Sequence, residues 1–262
     1  MRTSAKVLRY QLRDVLRSRV IASYGGFFLL STLALVQLGG GVERALPSLA
    51  NLTLLAVPLV SLLVTVVFLS HGRAFTEVLL SQPVGRGELL LGLYLGLALP
   101  LVGLFLAGTG IPLLVSGGPA GLIGPSLRLV VAGSMLTATF TALGFAVAYT
   151  FDDAAKSLAA ALGLWLGLTV LYDGAVLLAS QQLAAYPLEK PMLAAMVLNP
   201  VDLARVVMLM AVDASVLLGY TGAVFQDFFG GIWGITIALT SLVIWVAVPY
   251  LVALRRFRRM DL

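Results

Sequence analysis

Very few residues in this chain are equipped for chemistry. There is one histidine, His71, and no cysteine among 262 residues. That excludes disulfides, thiolate metal sites and haem attachment, and any Ser/His/Asp set would have to use His71. Neither an HExxH pair nor a GxxxxGK[ST] loop occurs, so zinc-peptidase and P-loop nucleotide chemistry are not expected of it. One carboxylate stands apart: Asp173, preceded by Tyr172, interrupts the apolar run Ser157–Leu188. An acid within a membrane segment is costly and by default marks function. It lies about sixteen residues into that run, at about 1.5 Å each, past the midplane toward the far side. The plainer reading is a carboxylate reached by water from that side, or paired with Arg205 or Arg128. A lone acid falls short of the two or more buried polar groups that an intramembrane enzyme needs. Transport or transmission of force is favoured over catalysis, and no cofactor or metal is expected on this chain. Met192, Met196, Met208 and Met210 offer thioethers that suit copper(I). No His or Cys accompanies them, and methionine is an ordinary apolar filler, so packing is the expected role.

Three polar stretches can meet partners. The first is Ser70–Glu88, SHGRAFTEVLLSQPVGRGE. Within it the pattern predicts a short helix over Ala74–Ser81, with Glu77 early and Phe75, Val78, Leu79 and Leu80 apolar. Pro83 restricts the residue before it and has no N–H to donate, so the helix stops at Gln82 to Gly85. The segment is more apolar than a solvated loop requires, which points to docking through Phe75, Thr76, Glu77, Leu79, Leu80 and Gln82. An ordinary loop between two membrane helices is the bland alternative. The second stretch is the tight turn Asp152, Asp153 and Lys156. The third is Asn199, Pro200 and Asp202, which reads as a helix start with Asn as cap, Pro first and Asp in the first turn. With Arg205 it forms a candidate contact for a partner on the far side.

The elements that position these residues follow from composition. The chain is 60% hydrophobic and only 11% charged, against about 25% charged in soluble domains. Cutting it at its charges leaves Val20–Val42, Ala45–Ser70, Leu89–Leu127, Leu129–Phe151, Ser157–Leu188 (broken only by Asp173) and Phe228–Leu254. Each fits one crossing of about 20 residues. The expected fold is all-α with six transmembrane helices: about Val20–Leu38, Asn51–Ser70, Leu89–Val115, Arg128–Phe151, Ser157–Ala179 and Gly231–Leu254. Glu43, Arg44 and Pro47 are expected in a short outer loop. Residues 180–229 hold apolar pieces too short to span and are expected to form two or three short re-entrant or interfacial helices. Residues 5–19 predict an amphipathic interfacial helix, with Lys6, Arg9, Arg13 and Arg17 on one face. Gly92 and Gly96 form a pair that lets another helix approach. The hydroxyls of Ser134, Thr137, Thr139, Thr141 and Thr150 are expected to bond back to their own helix.

Six crossings place 13 of the 17 basic residues on one side. They are Arg2, Lys6, Arg9, Arg13, Arg17, Arg19, Arg73, Arg86, Lys156, Arg255, Arg256, Arg258 and Arg259. The positive-inside rule then puts both termini in the cytoplasm. Anionic headgroups on that face account for the net charge of +5 without any nucleic acid. The first apolar run is long for a signal peptide and lacks a small-residue cleavage site, so it reads as an uncleaved helix.

This organisation resembles the ABC-2 family of ABC-transporter permeases. LLSQPVGRGELLLG at Leu79–Gly92 and VLNPVD at Val197–Asp202 carry the resemblance, and Tyr172–Asp173 and the Arg-rich C-terminus agree with it. Within the family it is most similar to the branch that serves nitrous oxide reductase maturation. SHGRAF at Ser70–Phe75 departs from the acidic, Gly-rich lead-in that is usual there, and Leu93 and Tyr94 stand where many members have a lysine. The resemblance implies that residues 1–262 are a single transmembrane domain of a bacterial inner membrane. It implies that two copies pair, each seating a first coupling segment (70–88) in a groove of a separate ATPase subunit, with residues 152–156 as the second contact. ATP would be bound by that partner. The motion would serve copper-site assembly in a periplasmic enzyme, with a periplasmic maturation protein docked on residues 180–229; either a sulfur species or only force would cross. Two other functions stay open: export of a lipid, drug or other small molecule, and a non-transporting anchor that recruits cytoplasmic proteins.

Overall fold

A computed structural model describes residues 18–72, 85–117, 124–182, 189–209 and 232–259. These form α1 (Arg19–Leu38), α2 (Val42–His71), α3 (Arg86–Gly117), α4 (Pro125–Ala148), α5 (Ala154–Gln182), α6 (Glu189–Val197), α7 (Pro200–Leu209) and α8 (Ile232–Arg258). The first five, and Thr236–Arg258 of α8, are long and apolar enough to cross a membrane, and no strand occurs among the described residues. The expected amphipathic helix at 5–19 lies outside the described residues, apart from its last two positions. So do Phe75, Thr76, Glu77, Leu79, Leu80 and Gln82, and residues 210–231.

The crossings alternate, and side-chain contacts fix which ends meet. The Arg86 guanidinium, at the start of α3, donates to the Arg258 carbonyl at the end of α8 over 2.5 Å. The ring of Tyr149, just past α4, packs 5.0 Å from that of Phe257. The ends bearing Arg86, Lys156 and the α8 arginines are thereby gathered into one basic end of the bundle. At the other end α1 turns into α2 through Gly39–Gly41. Gly40 and Gly41 have φ of 77° and 125°, conformations that side-chain-bearing residues rarely adopt.

That turn is so tight that α2 starts at once, at Val42. Glu43, Arg44 and Pro47 therefore lie inside α2 and not in a loop as expected. Three glycines make the whole reversal, and Pro47 so near the helix start forfeits a single backbone bond. The other spans match their expected positions: α1 to within one residue, α3, α5 and α8 longer by about a turn at one or both ends, and α4 shifted, starting at Pro125 and ending at Ala148. Leu89–Leu127 holds a single crossing, as expected, with Pro112 inside the helix.

α4 is the hub, with α2, α3, α7 and α8 all packed on it. Its Ser134, Thr137 and Thr141 hydroxyls donate to the carbonyls four residues back at 2.7–2.8 Å, as does Thr150 just beyond the helix. Thr139 differs: its hydroxyl is buried with no hydrogen-bond partner among the described residues. α3 and α5 are each interrupted by a π-helical turn, at Leu106–Gly110 and Gly167–Leu171. The first sits just ahead of Pro112, whose ring cannot tolerate the regular bond to the carbonyl four residues back. There α1 and α3 touch backbone to backbone: a Cβ on Gly108 would lie 2.8 Å from the Gly25 carbonyl and 2.9 Å from Phe28 Cβ. A small-residue approach is therefore made at Gly108 against Gly25, and Gly92 and Gly96 of the expected pair are both buried.

A charged corner clamped to a helix

α7 begins as its sequence predicts. Asn199 Oδ1 accepts from the Val201 N–H at 3.0 Å, Pro200 takes the first helical position, and Asp202 lies in the first turn. The helix is not superficial. Val201, Leu203, Ala204, Val206, Val207 and Met208 are buried against α2, α4 and α8. Met208 is packed in this core and Met196 lies against it, which is the role expected of them.

The corner between α6 and α7 is tied to its neighbours by side chains that use carbonyls left free by irregular backbone. In α5 the Tyr172 N–H bonds the Gly167 carbonyl, the longer step of a π turn. The Leu168 carbonyl thereby loses the donor a regular helix would supply. Asn199 Nδ2 takes that place, donating to Leu168 O at 2.8 Å. At the end of α6 the regular ladder stops, and the Leu198 N–H is shared between Ala194 O at 3.2 Å and Ala195 O at 3.1 Å. The Tyr172 hydroxyl donates to Ala195 O at 2.6 Å, and the Trp245 indole of α8 donates to Val197 O at 3.1 Å. One turn earlier in α5 the Trp165 indole donates to Leu55 O at 3.3 Å, in the turn of α2 that Pro58 loosens.

Charge completes the clamp. Arg205 donates to Asp173 of α5 at 2.6 Å and to Asp202 of its own helix at 2.7 Å. Asp202 Oδ2 also receives Asn199 Nδ2 at 3.3 Å. The side chains of Asp173 and Arg205 are 29% and 35% exposed, whereas that of Asp202 is 8% exposed. Burial pushes the Asp202 carboxyl above the usual carboxylate range; the Arg205 guanidinium opposes the rise and the Asp173 carboxylate adds to it. Asp173 is therefore paired with Arg205, one of the two arginines weighed from the sequence. It is also not solitary, since a second carboxylate shares its partner.

The second polar turn lies at the far end of the same helix. Asp153 caps α5, accepting from the Ala155 and Lys156 N–H groups at 2.7 and 3.1 Å. Asp152, Asp153 and Lys156 are all exposed at the basic end. The structure thus sorts the predicted site residues it describes into two groups. Asp152, Asp153 and Lys156 start α5, while Asp173, Asn199, Asp202 and Arg205 converge further along it. Sequence reasoning missed Trp165 and Trp245 as clamps. Their signal was available: an indole N–H buried in an apolar run needs an acceptor.

Comparison with known proteins assigns the fold. The model of the "ABC-2 family transporter protein" family matches residues 73–262. The chain belongs to the ABC-2 family. Among characterised sequences, this ABC-2 protein is 30% identical over 229 residues to the "Probable ABC transporter permease protein NosY" of Pseudomonas aeruginosa, covering 80% of this chain and 82% of that one. It is 28% identical over 228 residues to the protein of the same description in Stutzerimonas stutzeri, again at 80% and 82% coverage. ABC-2 permeases are membrane components of ABC transporters, so the chain is a multi-pass permease whose ATPase is a partner protein.

Proposed function

We propose that this permease converts ATP-driven movement at its basic end into movement of the α6–α7 corner, in a transporter that matures the copper site of periplasmic nitrous oxide reductase. The observation that carries the mechanical half is the course of α5. One helix runs from the exposed Asp152–Lys156 turn to the Asp173–Arg205 pair. Leu168, which Asn199 holds, is about 21 Å along it from Ala154 at 1.5 Å per residue. A push on the turn is therefore carried by the regular helix Ala154–Leu166 to the π turn that Asn199 holds. The maturation half draws on the two relatives described as NosY and on the LLSQPVGRGELLLG and VLNPVD stretches.

In this reading the basic end faces the cytoplasm of a bacterial inner membrane, and the ATPase contacts are Phe75, Thr76, Glu77, Leu79, Leu80, Gln82, Asp152, Asp153 and Lys156. Two copies of the chain pair and each engages one ATPase subunit, which carries the ATP. Among the described residues α5 is the span that its own chain covers least, which supports its meeting a second copy. Asn199, Asp202 and Arg205 position the corner for a periplasmic maturation protein. What passes to that partner is either force or a sulfur species.

Purification from native membranes in mild detergent tests this reading. An ATPase and a periplasmic protein are expected to copurify. Recovery of the ATPase alone would shift the reading to export of a lipid, drug or other small molecule. Recovery of neither would sink it.

A further inference from the structure

The bonds at the corner divide into two sets. One set stays within the body formed by α6, α7 and α8: Trp245 to Val197 O, Asn199 to Val201 N–H, and Asp202 to Arg205. The other set reaches α5: Asn199 to Leu168 O, Tyr172 to Ala195 O, and Arg205 to Asp173. The three α5 residues, Leu168, Tyr172 and Asp173, all lie in or beside its π turn. α7 is packed into the core, whereas α5 is the least buried span: 11% of its most apolar stretch is buried, against 50–61% for α2, α3 and α4. The end of α5 beyond the π turn, from Tyr172 to Gln182, has no buried residue. Among the described residues of its own chain, this segment is therefore only lightly held by packing.

On the α6–α7 side each contact leaves a partner behind: Asn199 Nδ2 still has Asp202 Oδ2 at 3.3 Å, and Ala195 O still has the Leu198 N–H at 3.1 Å. If α5 leaves, Arg205 keeps Asp202 at 2.7 Å on its own helix, so its charge is never left alone. If Asn199 leaves, the Leu168 carbonyl regains the Tyr172 N–H as soon as the π turn relaxes to a regular helix. The α6–α7 side and the Leu168 carbonyl are thus satisfied in both arrangements, and the Asp173 side chain, 29% exposed, is left toward solvent, as a two-state element requires. We propose that the segment Tyr172–Gln182 is a lever hinged at the π turn Gly167–Leu171, and that Arg205 is its catch, closed on Asp173 and released onto Asp202. Asp202 is the holding partner that makes release possible. The trigger rests on the ATP-driven movement proposed above; the catch itself does not.

The test uses the complete complex of permease and ATPase in lipid nanodiscs. The native chain has no cysteine, so it can be labelled at introduced cysteines alone before the ATPase is added. One pair goes on Leu178→Cys and Leu198→Cys, positions 61% and 65% exposed, with labelled protomers diluted by unlabelled ones. A control pair goes on Leu162→Cys and Val67→Cys, toward the basic end. Asp173→Asn keeps the shape but releases the catch. Without nucleotide it is expected to lengthen the Leu178–Leu198 distance by about 5 Å, one helical turn, or to add a population at that distance. An unchanged distribution in a variant that elutes as a single species overturns the proposal. Trapping the ATPase with vanadate is expected to move the same pair in the native protein. Movement of the control pair alone also overturns the catch. If neither pair moves, the ATP-driven trigger fails, and the Asp173→Asn arm decides the catch by itself.

Discussion

Arg205 is worth more to its neighbours than its own contacts indicate. It separates two carboxylates, one of them nearly buried. Removing it leaves both facing each other without a cation, which costs more than the lost bonds. Arg205→Met is therefore expected to lower stability by about 2 kcal/mol, roughly 5 °C in the detergent melting point at this chain length. Adding Asp173→Asn and Asp202→Asn is expected to recover most of that loss, because the stranded charges go with it. A triple variant no more stable than Arg205→Met would show that the penalty lies in packing. The sequence announced part of this site. The order Asn199, Pro200, Asp202 specifies a capped helix start by local chemistry alone, and an acid in a membrane run demands a partner. Which partner it takes depends on how α7 folds back onto α5. That is a contact 32 residues apart, which no local pattern encodes.

Among the elements, spans were the most legible feature and their irregularities the least. Apolar runs bounded by charge give each crossing, but a run's length does not say where the helix begins. Glu43 and Arg44 looked like loop residues because they are charged; a three-glycine turn leaves them inside α2. The π turn of α3 has a visible cause in Pro112. That of α5 has none in its own residues and is instead matched to Asn199. Close packing at glycine was likewise a matter of partner. A Cβ at Gly108 would meet the α1 backbone, and one at Gly133 would meet the buried Phe105 ring, whereas one at Gly103 meets nothing within 4 Å. Gly108→Ala and Gly133→Ala are each expected to destabilise by about 1–3 kcal/mol through overpacking. Gly103→Ala is expected to be neutral or slightly stabilising, since alanine is the better helix former. Thermal unfolding of the three variants separates them, and equal midpoints would contradict the α1–α3 and α3–α4 approach described here.

At the scale of the whole molecule, the account rests on a division of labour. The permease belongs to a family of ABC-transporter membrane components, so the energy enters from outside the chain. Among the described residues, Arg86, Lys156 and the α8 arginines collect at the end where α5 starts, and the charged corner lies along that same helix. This two-ended arrangement was legible from charge distribution and topology. The mechanical link between the ends was not, because it depends on α5 being continuous through a π turn. The most direct test of the central claim is ATP hydrolysis by the reconstituted complex carrying Leu80→Asp in the segment proposed as the first ATPase contact. Placing a charge at the centre of a docking face typically costs about 2 kcal/mol or more, at least about tenfold in affinity. The account predicts that permease-dependent ATP hydrolysis falls by at least about that factor while the variant inserts into the membrane at the native level. Hydrolysis at the native rate, with normal insertion, would contradict it.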